Sequence, residues 1–390
     1  MNSKNKVITQ TFYTFFVNGL LALMIGSIMP FIIQEYDISY VVAGMFISLH
    51  SFGNLFSSLL VGYSVYRFGR KISIVCLSSL SAIAFTGIIL TTNIPLLYLL
   101  FFLTGIARGS VSNVNNGIIN DIAVGKSGML NLLHTFFAVG AFLTPIIASF
   151  ITGMGYSWKW VVIIGIVFSI TSVFIYALMR MELINQSEKT QDEDENEPIN
   201  RVPYYKSVDF YLAAALAFFY LGAENSVNGW LVTYFSDTGI MSTAYAQRLL
   251  SVLWVIIIVG RLLTAYLSRY LKAKSLILIN SIGATLFFII LVLNRNIIVV
   301  TVSLIFFGFF LAGVFPTTIS SVGRIVKGSS GGIAVLLAFA GIGGTILPAI
   351  TGAVAERVGM AGGMTLIAMD ICLMLICAIV IKIRGDQVTT

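Results

Sequence analysis

The sequence predicts an all-α integral membrane protein with twelve transmembrane helices in two pseudo-symmetric six-helix bundles. Hydrophobic residues make up 58% of the 390-residue chain and charged residues only 10%. The mean hydropathy is +0.96. A soluble protein could not cover this much apolar surface with polar side chains. Long apolar runs recur along the whole chain, and a stretch from the first half nearly repeats in the second half.

Each apolar run is long enough to cross a bilayer as a helix, which takes about 20 residues. The predicted spans are residues 9–33, 41–65, 72–92, 94–120, 128–153 and 158–180, then 207–236, 244–268, 273–293, 295–322, 330–355 and 361–383. Between the sixth and seventh runs lies a polar stretch containing QDEDENEP, whose composition is typical of a solvated linker. The predicted domains are therefore an N-terminal bundle (1–180), a cytoplasmic acidic linker (181–206) and a C-terminal bundle (207–390).

The positions of the basic residues predict the orientation of the chain. Twelve spans place both termini on one side, and most Lys and Arg residues fall on that side. The opposite side holds Lys159, Arg248, Arg295 and Arg357. Because Lys and Arg accumulate on the cytoplasmic side of membrane proteins, we expect cytoplasmic termini. The compact loops fit a bacterial inner (cytoplasmic) membrane. The same asymmetry accounts for the net charge of +7 without a nucleic-acid partner.

An internal repeat joins the two halves. The stretch MLNLLHTFFAVGAFLTPII starts at Met129, and GIAVLLAFAGIGGTILPAI starts at Gly332. A single repeat across a polar centre is typical of two-halved membrane transporters. Equivalent positions are Phe136 and Phe339, Gly140 and Gly343, and Pro145 and Pro348. His134 stands where the second copy has Leu337, so this histidine is a departure from the shared scaffold.

The loop after the second span reads GYSVYRFGRK. It resembles the G-x-x-x-D-R-x-G-R-K signature of the major facilitator superfamily, with Tyr66 in place of the usual Asp. The corresponding loop of the second half, TAYLSRYLKAK, keeps Arg269 and a basic tail. The resemblance implies a loop that latches the two halves during the conformational cycle. The latch residues it implies are Gly62, Arg67, Gly69, Arg70, Lys71 and Arg269.

Within that superfamily, three stretches resemble the fucose–proton symporter family: LNLLHTFFAVGAFLTP, GAENSVNGWLVTYF and GFFLAGVFPTTISS. The resemblance implies a central cavity, alternating access and proton-driven import of a monosaccharide. Transporters that resemble the fucose symporter can carry acids in the first and fourth helices for proton coupling. Here the first span has Asn18 but no acid, and the fourth has Ser112 at the comparable place. If a proton drives transport, Glu224 or His134, or both, must carry it.

The seventh span contains a cluster suited to sugar binding. Glu224 and Asn228 are one helical turn apart and point the same way, with Asn225 and Trp230 close in sequence. Amides can bond sugar hydroxyls, and an aromatic face can stack on a pyranose ring. Ionisable groups inside a span usually face a cavity or a partner. A buried glutamate that only ties helices together is the alternative interpretation.

The fourth span carries a polar ladder. Arg108, Ser112 and Asn116 are spaced at i, i+4 and i+8, and Asn113 adjoins them. Lipid would leave these amides unsatisfied, so we expect the ladder to face the bundle interior. Arg108 is a candidate charge partner for Glu224 or for an anionic substrate. Structural hydrogen bonding remains open for each Asn. The full predicted substrate-binding set is Asn18, Asn113, Asn116, His134, Asn225, Asn228 and Trp230.

Motifs for other functions are absent from the sequence. It has no GxxxxGK[ST], HExxH or CxxC pattern, so we expect no enzyme activity, no cofactor and no metal site. The leading hypothesis is a monomeric, bilayer-embedded importer of a neutral monosaccharide, coupled to protons. Open alternatives are a drug or metabolite exporter, sodium-coupled or uncoupled sugar transport, and a non-transporting sugar sensor. The sequence assigns no role to His50, Arg261 or Asp370.

Overall fold

The computed structural model describes residues 3–122, 127–181, 204–326 and 330–387. The regular secondary structure of the described residues is helical. Its helices are α1 (Ser3–Ala22), α2 (Met24–Tyr36), α3 (Tyr40–Phe68), α4 (Arg70–Leu90), α5 (Ile94–Ile122), α6 (Ser127–Gly153), α7 (Lys159–Leu178), α8 (Val208–Asp237), α9 (Thr243–Leu267), α10 (Ala273–Leu293), α11 (Ile297–Leu311), α12 (Val314–Val326) and α13 (Ser330–Gln387). A short 3₁₀ turn, Tyr204–Lys206, precedes α8. Most of the predicted acidic linker lies outside the described residues.

A break at one glycine divides the last apolar stretch of the chain and so raises the number of possible membrane crossings from eleven to twelve. Eleven stretches of the described chain are long and apolar enough to span a membrane. The last of them, Gly331–Arg384, is broken at Gly359, which has φ 79° and ψ 167°. Glycine adopts this positive φ without the steric cost that a side chain brings. The break divides α13 into two arms, each long enough to cross. The predicted twelve-helix architecture is confirmed, with helix ends close to those predicted.

Two spans are each built from two helices. α1 and α2 meet at Leu23 within the span Lys4–Tyr36, and α11 and α12 meet at Ala312–Gly313 within the span Ile297–Gly323. A Cβ at Gly313 would lie 2.2 Å from the Asn280 amide nitrogen and 2.3 Å from the Thr264 hydroxyl. The interruption in α11–α12 therefore brings backbone close to polar side chains of α9 and α10.

The chain forms two compact units. Among the described residues, the first unit holds the chain up to Ile28 and from Leu49 through α7. The second holds Met29–Ser48 and the chain from Tyr204 onward. The predicted division at residues 180 and 207 stays a prediction. Residues 29–48 join the second unit because the start of α3 packs on α13: a Cβ at Gly44 would lie 3.0 Å from the Pro348 carbonyl oxygen.

The internal repeat is visible as the same close contact in both units. A Cβ at Gly140 of α6 would lie 2.0 Å from the Phe16 carbonyl oxygen of α1. At Gly343 of α13 it would lie 2.1 Å from the Phe218 carbonyl oxygen of α8. Only a residue without a side chain allows two helix backbones to come this close. The equivalence of these two glycines in the sequence thus has a structural counterpart.

Candidate functional site

Glu224 lies near the middle of α8, and its side chain is 13% exposed. The Tyr220 hydroxyl, one turn earlier, donates a hydrogen bond of 3.3 Å to Glu224 Oε1. The Arg261 guanidinium of α9 is 4.0 Å from the same oxygen. A carboxylate inside a span is stabilised by a cation and a hydroxyl at this distance. Glu224 therefore sits in a polar cluster formed within the second unit.

Asn228 extends this cluster by one helical turn. The half-buried Asn228 accepts a 3.2 Å hydrogen bond through Oδ1 from the Trp254 indole nitrogen of α9. Trp254 and Arg261 are seven residues apart and lie on the same face of α9. Glu224, Asn228, Trp254 and Arg261 thus form one patch between α8 and α9, which we call the α8–α9 polar patch.

Two predicted binding residues of α8 contact α13, and their binding roles stay predictions. The Asn225 amide nitrogen donates to the Gly344 carbonyl oxygen at 3.1 Å. Trp230 is completely buried, and its indole nitrogen donates to the Pro348 carbonyl oxygen at 3.0 Å. In this structure both side chains fix α13 against α8. A substrate could stack on Trp230 only after these helices separate.

Arg261 was not assigned a role from the sequence because it lies close to the end of its span. The signal that could have found it is the spacing of Trp254 and Arg261 on one face of α9. The predicted pairing of Glu224 with Arg108 joins residues of the two different units and stays a prediction.

In the first unit, a cavity of about 20 Å³ lies among α1, α3, α4, α5 and α7. A single water molecule needs roughly 10–15 Å³ of such space, so the cavity fits a water and is too small for a sugar. Its polar lining consists of Thr14, Asn18, His50, Ser78, Ser81, Thr104, Arg108, Ser169 and Ser172. The structure thus brings together the predicted residues Asn18 and Arg108.

His50 connects two residues of α5 at this cavity. Its Nδ1 is 2.9 Å from the Thr104 hydroxyl, and its Nε2 is 3.4 Å from Arg108 Nη1. His50 is buried. Helical spacing indicates no partner for His50, because Thr104 and Arg108 lie 54 and 58 residues further along the chain.

Three further predicted binding residues of the first unit lie on α5 and α6. Asn113 is exposed and its Nδ2 is within 3.4 Å of the hydroxyls of Ser57 and Ser58. Asn116 is half-buried, and its Oδ1 has no hydrogen-bond partner among the described residues. His134 is exposed, with its ring edge-on to Phe15 at 5.3 Å between centroids. The binding roles of these residues stay predictions.

Sequence reasoning missed Asn115, which is completely buried. Its Nδ2 donates to the Thr14 hydroxyl at 3.0 Å, and its Oδ1 accepts from the Tyr176 hydroxyl at 2.8 Å. Asn115 therefore joins α5 to α1 and α7. Both ends of the amide are satisfied by protein groups, which is the arrangement of a structural residue.

The signature loop contains a one-residue connection between α3 and α4. Gly69 separates α3 from α4 with φ 80°. The next residue, Arg70, contacts Asp121 near the end of α5 with Nη1 to Oδ2 at 2.6 Å. Tyr66, which replaces the usual Asp, is 90% exposed. A Cβ at Gly62 would have no atom within 4 Å. The latch role of all six residues stays a prediction: Gly62, Arg67, Gly69, Arg70, Lys71 and Arg269.

Comparison with known proteins decides the family. The sequence profile of the Major Facilitator Superfamily matches residues 11–332. The chain belongs to the major facilitator superfamily. Its identification from the loop signature is thereby confirmed. As a member of this family the chain is an integral membrane transporter and not an enzyme.

Relatives and solved structures resemble this transporter over nearly its whole length. The Protein TsgA homolog of Yersinia enterocolitica is 21% identical, with 96% of each chain covered. The crystal structure of nucleoside transporter NupG aligns with a TM-score of 0.76 at 16% identity, covering 98% of both chains. The D-xylose-proton symporter aligns with a TM-score of 0.75 at 15% identity, covering 97% of this chain and 96% of that one. At these identities the structural likeness shows the fold.

Proposed function

We propose that this transporter imports a neutral monosaccharide by alternating access, that a proton bound at Glu224 drives the import, and that it works as a monomer. The observation that carries the proposal is the α8–α9 polar patch, in which a largely buried carboxylate has Tyr220 and Arg261 as partners. Import into the cytoplasm with both termini on the cytoplasmic side, across a bacterial inner membrane, belongs to the same proposal.

The substrate class follows from the chemistry of the patch. Asn228 is an amide held in place by the Trp254 indole, beside an acid and a guanidinium. Amides and charged groups arranged around an aromatic ring recognise hydroxyls on a compact ring. Two solved relatives of the same fold are named as a nucleoside transporter and a D-xylose-proton symporter. The resemblance to fucose–proton symporters supports the same class.

The proposed coupling role rests on competition between Arg261 and a proton for the Glu224 carboxylate. Arg261 approaches Glu224 Oε1 to 4.0 Å, and the carboxylate attracts it only while it is ionised. Two opposite charges at this distance attract each other far more strongly inside a protein than in water. When Glu224 takes up a proton, Arg261 is released from the pair and α9 can shift against α8. His134 stays a second candidate for proton binding.

The test measures sugar uptake by the purified protein in liposomes with an imposed proton gradient, acidic outside. The probes are radiolabelled D-xylose, L-fucose and uridine. We expect accumulation of one sugar in the wild type. Glu224→Gln should keep exchange of that sugar across the membrane and lose its accumulation. The control is Glu35→Gln, which changes an exposed carboxylate at the end of α2.

Unchanged accumulation in Glu224→Gln would overturn the coupling role. Accumulation that follows a sodium gradient instead of a proton gradient would replace the driving ion. Uptake of none of the three probes, combined with export of apolar compounds from cells, would favour the exporter alternative.

A further inference from the structure

The hydrogen bonds around His50 fix which of its ring nitrogens carries the proton. A guanidinium has N–H donors and no acceptor. Arg108 Nη1 lies 3.4 Å from His50 Nε2, so Nε2 must present a lone pair to it. In a neutral ring the proton is then on Nδ1, which donates to the Thr104 hydroxyl at 2.9 Å. The Thr104 hydroxyl donates in turn to the Phe101 carbonyl oxygen at 2.6 Å.

The same geometry excludes a second proton on the ring while Arg108 is in place. A proton on Nε2 would set an imidazolium against a guanidinium at hydrogen-bonding distance in a buried position. Like charges this close repel strongly away from water. His50 Nε2 can therefore be occupied by Arg108 or by a proton, and each excludes the other.

The cavity beside His50 gives Arg108 an alternative set of partners. The Ser78 hydroxyl donates to Val75 O at 3.3 Å, and the Ser81 hydroxyl donates to Ser78 O at 2.7 Å. Both serine protons are therefore used in these hydrogen bonds. The Ser169 hydroxyl donates to Ser81 Oγ, so Ser78 Oγ is the serine oxygen that can accept a hydrogen bond from Arg108. The space of about 20 Å³ can hold a water as well. A guanidinium that leaves His50 can find acceptors there.

Within the part of the chain that the structure describes, one cationic side chain lines the cavity beside His50. The cavity lining comes from α1, α3, α4, α5 and α7, and Arg108 is the only charged side chain in it among the described residues. The remaining polar lining consists of hydroxyls and the Asn18 amide. Asn18 Nδ2 is buried without a hydrogen-bond partner among the described residues, which marks the cavity as a place for an additional acceptor such as water.

We propose that His50 is a proton-binding site of the first unit, and that its protonation displaces Arg108 into the adjoining cavity. The proton adds to the Nε2 lone pair and makes the ring cationic. The Arg108 N–H then exchanges its acceptor, Nε2, for a serine oxygen or a water. The new N–H is the covalent bond that forms, and no covalent bond breaks. This site lies in the unit that does not contain Glu224, so it goes beyond the proposed function and does not depend on which substrate is carried.

The test is nitrogen NMR of purified protein labelled with ¹⁵N-histidine. The chain has two histidines, so His134→Gln leaves the signals of His50 alone. We expect the neutral ring protonated on Nδ1, the less common tautomer of free histidine, across the neutral pH range. In Arg108→Gln, which removes the competing cation, His50 should take up a proton at a higher pH than in the wild type. Arg295→Gln, at an exposed position between α10 and α11 in the other unit, is the matched control and should leave the His50 signals unchanged.

Two results would overturn the proposal: a wild-type His50 protonated on Nε2, or the same His50 titration with and without the Arg108 guanidinium. If Arg108→Gln does not fold, Thr104→Val replaces it. Because Arg108 Nη1 still faces Nε2, His50 should keep its proton on Nδ1 in Thr104→Val and only the Nδ1 signal should shift. A change of tautomer in that variant would contradict competition between Arg108 and a proton for His50 Nε2. Since the measurement needs no transport, its failure is separate from failure of the sugar uptake test.

Discussion

Gly343 is the position where the first arm of α13 touches the backbone of α8, and Gly343→Ala tests how strictly this contact needs glycine. A Cβ there would lie 2.1 Å from the Phe218 carbonyl oxygen, whereas ordinary contacts of a Cβ begin at 3.4 Å. The two helices must therefore move apart by about 1.3 Å, the difference between these distances. The obstacle is backbone, so no side-chain rotation relieves it.

The expected cost follows from this displacement. Overpacking of a close-packed contact destabilises by about 1–3 kcal/mol. Separation of the helices also stretches the neighbouring hydrogen bond from Asn225 to the Gly344 carbonyl, now 3.1 Å, which is worth about 0.5–1.5 kcal/mol. We expect Gly343→Ala to lower the midpoint of thermal unfolding in detergent by several degrees.

The matched control is Gly323→Ala in α12 of the same unit. A Cβ at Gly323 meets no atom within 4 Å, and alanine favours a helix by about 1 kcal/mol over glycine. This variant should unfold at the wild-type temperature or above it. The reasoning is refuted if Gly343→Ala is as stable as Gly323→Ala. Because of the repeat, Gly140→Ala should behave like Gly343→Ala.

Two further predictions concern buried polar residues. Asn115→Ala should lower the thermal midpoint, since it leaves the hydroxyl of Tyr176 without its buried acceptor, at a cost of about 1–3 kcal/mol. Asn113→Ala, at an exposed position, is its control, and equal midpoints for the two variants would contradict the structural role of Asn115. Asp370→Leu should keep or raise the midpoint, because both Asp370 carboxylate oxygens are buried without hydrogen-bond partners among the described residues. A lower midpoint for Asp370→Leu would show that the carboxyl has a stabilising partner.

Most of the fold could be predicted from the sequence because it depends on local properties. A run of about 20 apolar residues must span the bilayer whatever lies elsewhere in the chain. The predicted runs therefore coincide with the observed helices to within a few residues at most ends. The division of α13 at Gly359 was also predictable, because two apolar runs of full length need a turn between them.

The candidate site was predictable only in part. The sequence located Glu224 and Asn228 on one face of α8, since that follows from helical spacing alone. Helical spacing did not show that the Trp230 indole nitrogen donates to the Pro348 carbonyl oxygen of α13. Which way a side chain points relative to a neighbouring helix depends on how that helix is rotated, and single-helix spacing carries no information about the rotation.

The sequence by itself determined that this chain is an integral membrane protein with twelve membrane-spanning helices. It also determined that the two halves repeat, with glycines at equivalent positions. Composition and periodicity suffice for these, because the bilayer acts on each segment independently. Only the tertiary structure decided the partners of the polar residues: Arg261 beside Glu224, His50 between Thr104 and Arg108. Each of these contacts joins two helices, and the packing of those helices fixes which side chains meet.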